Sequence, residues 1–187
     1  MSIVGLLLAA GSARRFGAQK LLVQVADGVS VAATADAHLI AALPRSLGVV
    51  RPADQELSRQ LTSVGLDVVE NGRSVYGMGT SIAAGVAATP EADGWVIALG
   101  DMPWVRPETI RAVADALVRG SSISAPCIDG IRGHPVGFSA KWRDELLALN
   151  DDFGARNLIT ALNLDLIPTD DPGVRQDIDH PADLTAQ

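Results

Sequence analysis

The stretch "LLLAAGSARRFGAQKLL", Leu6 through Leu22, runs from a short apolar segment straight into a loop holding two glycines, two arginines and a lysine. An apolar strand delivered into small, basic residues brings backbone N–H groups and positive charge to one strand end. In open α/β sheets that end is where ligands bind. The run "IVGLLLAA" is far shorter than the roughly 20 residues of a spanning helix and lacks the basic leader of a signal peptide. It reads as a buried strand.

Working outward, short β-rich runs alternate with longer segments of helical character: "VAATADAHLIAAL", "LGVVR", "DQELSRQLTSV", "LDVVEN", "TSIAAGVAA", "GWVIALG", "PETIRAVADALVRG", "SISAPCI", "HPVGFS", "KWRDELLAL", "ARNLITAL" and "LDLIP". Strand then helix, repeated, predicts βαβ units around a mostly parallel sheet. Ile110, Val113, Ala114, Leu117 and Val118 share one helix face, with Pro107 near its start and Gly120 past its end. "TPEADG" and "TDDPGVRQD" read as ordinary polar loops. The residues directly after "GLLL" and "VIAL", Gly11 to Lys20 and Asp101, are expected to line one crevice.

The chain has 187 residues, 48% hydrophobic and 20% charged, which predicts one compact domain over 1–187 with little disorder. Net charge is −7, so a nucleic-acid footprint, which needs clustered Lys and Arg, is not expected, and no membrane partner is expected either. The single cysteine, Cys127, has no internal disulfide partner; it reads as a strand residue in a cytoplasmic protein. Arg14, Arg15 and Lys20 make the N-terminal loop a basic exception to an acidic whole.

Spacing separates the loop types. A dinucleotide fingerprint needs G-x-G-x-x-G, but Gly11 and Gly17 have five residues between them. A Walker loop needs lysine directly after its second glycine, but Lys20 lies three beyond Gly17 and Leu21 follows it. What remains is a strand followed by Ala9, Ala10 and Gly11, small enough for backbone N–H groups to approach a ligand, with Arg15 and Lys20 placed to neutralise phosphates.

These residues carry a resemblance. "LAAGSARRFGAQKLL" is similar to the L-A-[AG]-G-x-[ST]-x-R-[FM]-G-x-x-K signature of nucleotidyltransferases, and among them to the molybdenum cofactor cytidylyltransferases. The resemblance implies the nucleotide-diphospho-sugar transferase fold, a three-layer Rossmann-like α/β/α sandwich with a mostly parallel mixed sheet. It also implies a nucleotide site of Ala9, Ala10, Gly11, Ser12, Arg15, Lys20, Gly79, Ser81 and Asp101, with Arg15, Lys20 and Asp101 catalytic.

Other segments extend it. "GDMPW" resembles the family's [AG]-D-M-P, whose aspartate binds Mg²⁺ or Mn²⁺; a turn cap before Pro103 is the plainer reading of Asp101. "DIDHPADL" resembles D-I-D-T-P-E-D-L, making Asp179 the second metal ligand, with His180 and Ala182 departing from the pattern and Asp177 and Asp183 read as caps. "NGRSVYGMGTSI" resembles the stretch that opens a helix beneath the base, where Ser81 either meets the nucleotide or caps the helix. "IRGHPV" resembles the R-G-H-P acceptor loop, which implies that Arg132, Gly133, His134 and Pro135 face the pterin; His38 reads as structural. "NDDFGAR" resembles G-D-x-G-A-R, adding Asp152 and Arg156 to the acceptor site, with Asp151 in place of glycine limiting the turn.

The implied reaction takes CMP from CTP to the terminal phosphate of molybdenum-bearing molybdopterin, releases pyrophosphate and yields the cytosine dinucleotide for a molybdenum hydroxylase. Ala10, where guanylyltransferases carry glycine, favours CTP over GTP. Alternatives are a guanylyl- or other nucleotidyltransferase with another phosphate acceptor, a nicotinamide-nucleotide-dependent reductase on the same fold, and a non-catalytic molybdenum cofactor carrier.

Overall fold

A computed structural model describes residues 1–11, 20–25, 28–160 and 162–185. Strand β1 (Ile3–Leu8) is buried along almost its whole length, as a strand covered on both faces must be. It pairs in parallel with β2 (Ser46–Val50) on one side and β4 (Gly94–Leu99) on the other, and β2 pairs in parallel with β3 (Asp67–Glu70). Beyond β4 the sheet turns mixed. β7 (Val136–Ser139) runs antiparallel to β4, β5 (Ile123–Ile128) antiparallel to β7, and β8 (Leu164–Pro168) parallel to β5. The path is β3-β2-β1-β4-β7-β5 and then β6 (Ile131–Arg132), with β8 flanking β5.

Side-chain alternation splits the core in two. Leu7 and Val96 pack with Leu39 of α1 (Val31–Ala42), Leu57 and Leu61 of α2 (Gln55–Ser63), and Ile110, Val113 and Leu117 of α4 (Pro107–Val118). Leu6, Leu8, Trp95 and Ile97 pack instead with Ile82 and Val86 of α3 (Met78–Ala87) and Leu146 of α5 (Arg143–Leu147). The period of two along each strand thus produces the three expected layers. The α4 helix begins at Pro107, as its proline predicts.

Two features were not expected from sequence. "DGIRGHPVGFS", read as a loop leading into a strand, contains β6 (Ile131–Arg132), hairpinned onto β5 so that Arg132 pairs with Cys127. The hairpin turns at Asp129 and Gly130, both at positive φ, as an Asp-Gly turn requires. In addition, α1 buries Asp36 completely, and among the described residues neither carboxylate oxygen has a hydrogen-bond partner. Burial pushes its pKa up from 3.8 to about 7.

Candidate active site

The two loops expected to meet do begin side by side. Leu8 and Leu99 are paired in register, and the Gly100 N–H donates to the Leu8 carbonyl at 2.9 Å. Beyond these strand ends lies a cleft of about 460 Å³, within the range of small-ligand sites. Ala10, Gly11, Lys20, Ser81, Asp101, Asp152 and Asp179 line it. Arg15 and Ser12, with Arg14, lie outside the described residues. Ala9 is buried beneath the cleft, its N–H donating to Val49.

Lys20 joins the two acidic motifs. Its Nζ donates to Asp101 Oδ2 at 2.8 Å and to Asp179 Oδ1 at 3.2 Å. Burial depresses the ammonium, but Asp101 and then Asp179 override it and hold the pKa above 10.5. Two carboxylates 78 positions apart in sequence therefore converge on one cation position. Among the described residues no group of three or more His, Cys, Asp or Glu side chains could hold a metal. A pair of carboxylates fits a divalent ion that takes its other ligands from substrate phosphates and water.

The C-terminal segment carrying Asp179 is strapped across the loop after β4. The Ile178 N–H donates to the Asp101 carbonyl at 2.9 Å. Asp171, 1% exposed, accepts from the Arg106 N–H at 2.8 Å, the Thr109 hydroxyl at 2.7 Å and the Gly173 N–H at 3.0 Å. "TDDPGVRQD" is thus not an ordinary polar loop: Asp171 is a buried anchor. Proline after two aspartates marked the turn but not the burial. Asp183 does cap: its Oδ2 accepts from the His180 and Asp179 N–H groups, which lowers its pKa.

The "RGHP" segment, expected to face the acceptor, is half-buried at Arg132 and His134 and is held by backbone hydrogen bonds. The Gly133 N–H donates to Pro126 and the His134 N–H to Val174, and the His134–Pro135 peptide is cis. The His134 ring faces a small void lined by Ala98, Met102, Val105 and Ile110. Burial, with Arg132 adding repulsion, pushes its pKa down from 6.5 to about 4. Buried Nδ1 of His134 and Nη1 of Arg132 have no hydrogen-bond partner among the described residues. Arg132 is itself held below its ordinary pKa by burial and then by the charge of Arg156. Neither Arg132 nor His134 lines the cleft, although Asp101 lies within electrostatic reach of His134.

The turn around Asp151 resolves two residues differently from expectation. Gly79 faces Asp151, its N–H donating to the Asp151 carbonyl at 2.8 Å, and it does not line the cleft. Gly77, at φ +122°, does line the cleft; a Cβ there would lie 2.5 Å from the Asp151 and Asp152 backbone. The Asp151 carboxylate accepts the Phe153 N–H at 3.1 Å, so it braces the turn it replaces a glycine in. Asp152 lines the same cleft as Lys20 and Asp101.

Comparison with known proteins decides the family. The profile of the MobA-like NTP transferase domain matches residues 5–166. The chain belongs to that family. It is a nucleotidyltransferase, and nucleotidyltransferases of this family use divalent metals. The structure of Rv0371c from Mycobacterium tuberculosis H37Rv superposes with a TM-score of 0.83 at 28% identity, covering 100% of this chain and 98% of that one. A manganese complex of the same protein superposes at 0.79 with 26% identity, covering 98% and 96%. A nucleotidyl transferase from Methanothermobacter thermautotroptrophicus gives 0.81 at 25% identity, covering 97% and 93%. The bifunctional protein GlmU of Corynebacterium aurimucosum is 34% identical over 80 residues, 42% of this chain but only 16% of that protein's length.

Among the described residues no helix of this nucleotidyltransferase is long and apolar enough to cross a membrane. Sequence reading missed Asp36, Asp171 and Asn71. Asp171 is buried by contacts remote in sequence, whereas Asp36, inside an apolar helical run, and Asn71, at the end of a β-rich run, each carried a local hint.

Proposed function

We propose that this chain transfers the cytidylyl group of CTP to the terminal phosphate of molybdopterin carrying molybdenum, releasing pyrophosphate. The observation that carries the reading is the convergence of Asp101 and Asp179 on Lys20 at the mouth of a 460 Å³ cleft walled by Ala10 and Gly11. Asp101 and Asp179 would hold Mg²⁺ or Mn²⁺, which supplies charge neutralisation for the triphosphate and the departing pyrophosphate.

The residues of the chain do the rest. Lys20 has its ammonium fixed by two carboxylates and carries positive charge to the triphosphate. Backbone amides at Ala10, Gly11 and Ser12 would orient the triphosphate, and the Arg15 guanidinium would add its charge to that of Lys20. An oxygen of the acceptor phosphate forms the new bond to the α-phosphorus as the bond to the bridging β-phosphate oxygen breaks, and pyrophosphate leaves with that electron pair. A phosphate monoester is already largely ionised near neutral pH, so no general base is required. For the acceptor anion, Arg132 and Arg156 supply two guanidinium groups close enough to repel each other, a pairing that an intervening phosphate would relieve. The methyl group of Ala10 narrows the base pocket against a purine, a discrimination of roughly 1–3 kcal/mol.

The test is pyrophosphate release from purified protein with Mg²⁺ and molybdenum-loaded molybdopterin, comparing CTP, GTP and ATP. Turnover with CTP above GTP is expected. Turnover with GTP above CTP would overturn the nucleotide assignment, and none with any triphosphate would overturn the acceptor.

A further inference from the structure

Asn71 follows β3 directly, and Ser81 lies in α3; both are buried. The Asn71 amide can take only one orientation. Its Oδ1 accepts the Arg73 backbone N–H at 2.9 Å, so Nδ2 faces the opposite way. Nδ2 donates to Thr80 Oγ1 at 2.9 Å and to Ser81 Oγ at 3.0 Å, which uses both of its hydrogens. Thr80 directs its own proton at the carbonyls of Arg73 and Gly77, 3.0 and 2.9 Å away, and is thereby satisfied.

Ser81 is left in a different state. Its oxygen accepts from Asn71, and among the described residues its hydroxyl proton has no acceptor, while the residue lines the nucleotide cleft. A buried hydroxyl in that state is a donor waiting for a partner.

We infer that Asn71 is a positioning residue that fixes Ser81 as a hydrogen-bond donor toward the nucleoside, so that the cleft selects a base edge carrying an acceptor there. This rests on the cytidylyl-transfer reading. Cytosine offers two adjacent acceptors, O2 and N3, where guanine carries the N1–H and N2–H donors. A donor of fixed polarity is satisfied by the first and left facing another donor by the second, which is the kind of mismatch that discriminates strongly. It acts with the Ala10 methyl but by polarity instead of size.

The experiment is calorimetric titration of the full chain, with Mg²⁺, against CTP, 2-thiocytidine triphosphate, 3-deazacytidine triphosphate and inorganic tripolyphosphate. The wild type is expected to prefer CTP over at least one of the two analogues by about five- to tenfold, as one hydrogen bond allows. Ser81→Ala removes the donor. Asn71→Asp replaces the donor that holds it with a carboxylate that accepts the Ser81 proton. Both are expected to erase the preference while tripolyphosphate affinity stays within about twofold, and the double variant to be no weaker for CTP than the weaker single one.

A merely structural role for Asn71 predicts that affinity falls for every ligand and that preference among them persists; that result overturns the inference. Retained preference in Ser81→Ala overturns it as well. If Asn71→Asp does not fold, Ser81→Ala and Ser81→Cys, the latter of similar size with a weak donor, decide alone. A wild type that binds tripolyphosphate and CTP without discriminating among the cytidine analogues refutes the Ser81 inference alone. A wild type that binds neither refutes the cytidylyl-transfer reading with it.

Discussion

Asp36, fully buried, and His134, half-buried with its Nδ1 enclosed, are titratable groups with opposite pH linkage, and replacing Asp36 with asparagine separates them. Asp36 is 0% exposed with pKa raised to about 7, so between pH 5 and 7 the folded form stays protonated while the unfolded form ionises. Folding then binds the proton, and raising the pH over that interval removes about 2 kcal/mol of stability. His134, lowered to about 4, behaves in reverse: the unfolded imidazole protonates below 6.5 while the folded one stays neutral. Raising the pH from 5 to 7 therefore returns about 2 kcal/mol. These two contributions nearly cancel in the wild type. Asp36→Asn is expected to unmask the histidine, so that its stability relative to wild type climbs by about 2 kcal/mol between pH 5 and pH 7. His134→Gln should show the opposite trend of similar size. The assay is urea denaturation at pH 5, 6 and 7, reading the difference between variant and wild-type profiles. A difference profile for Asp36→Asn that is flat across that range would refute the reasoning, because it would mean that the folded protein ionises Asp36 as readily as the unfolded chain.

Asp101→Ala should abolish divalent-dependent turnover, by about 100-fold or more, and weaken Mn²⁺ binding read by electron paramagnetic resonance, with the circular dichroism spectrum retained; activity within threefold of wild type would remove Asp101 from the site. Asp171→Ala strands the Arg106 N–H and the Thr109 hydroxyl without their acceptor and should cost at least about 2 kcal/mol in denaturant unfolding. Gly133→Ala would place a Cβ 2.5 Å from the Val174 carbonyl oxygen. A loss of about 1–3 kcal/mol is expected there, and an unchanged urea midpoint would show that the two segments separate easily. Cys127→Ser, on a half-buried strand position, should leave turnover within tenfold.

By itself the sequence determined the layers and the reacting end of the sheet. Apolar runs such as "GLLL" and "WVIAL" are short, continuous and followed by small or acidic residues, so their strands and the crevice beyond them follow from local pattern and the rule for open α/β sheets. The α4 helix was legible for the same reason, its apolar spacing, proline start and glycine stop all being local. Lys20, Asp101 and Asp179 were legible as residues, through motifs that are contiguous in the chain. Their sharing one cleft was legible too, for Lys20 and Asp101 from the rule for open α/β sheets and for Asp179 through the resemblance, but the hydrogen bonds that join them were not. That one ammonium bridges Asp101 and Asp179, and that Asp171 straps the C-terminal segment over the loop after β4, are hydrogen bonds between segments distant in sequence, and the Asn71–Ser81 bond, though only ten residues apart, joins a strand end to the next helix. Periodicity carries no information about such partners. Burial is decided the same way: Asp36 sits in the apolar run "VAATADAHLIAA" and Asp171 in the polar "TDDPGV", yet both are enclosed, Asp36 with no hydrogen-bond partner among the described residues and Asp171 with three. The polarity of a buried group depends on which donors and acceptors the fold brings to it, and only the tertiary structure supplies that list.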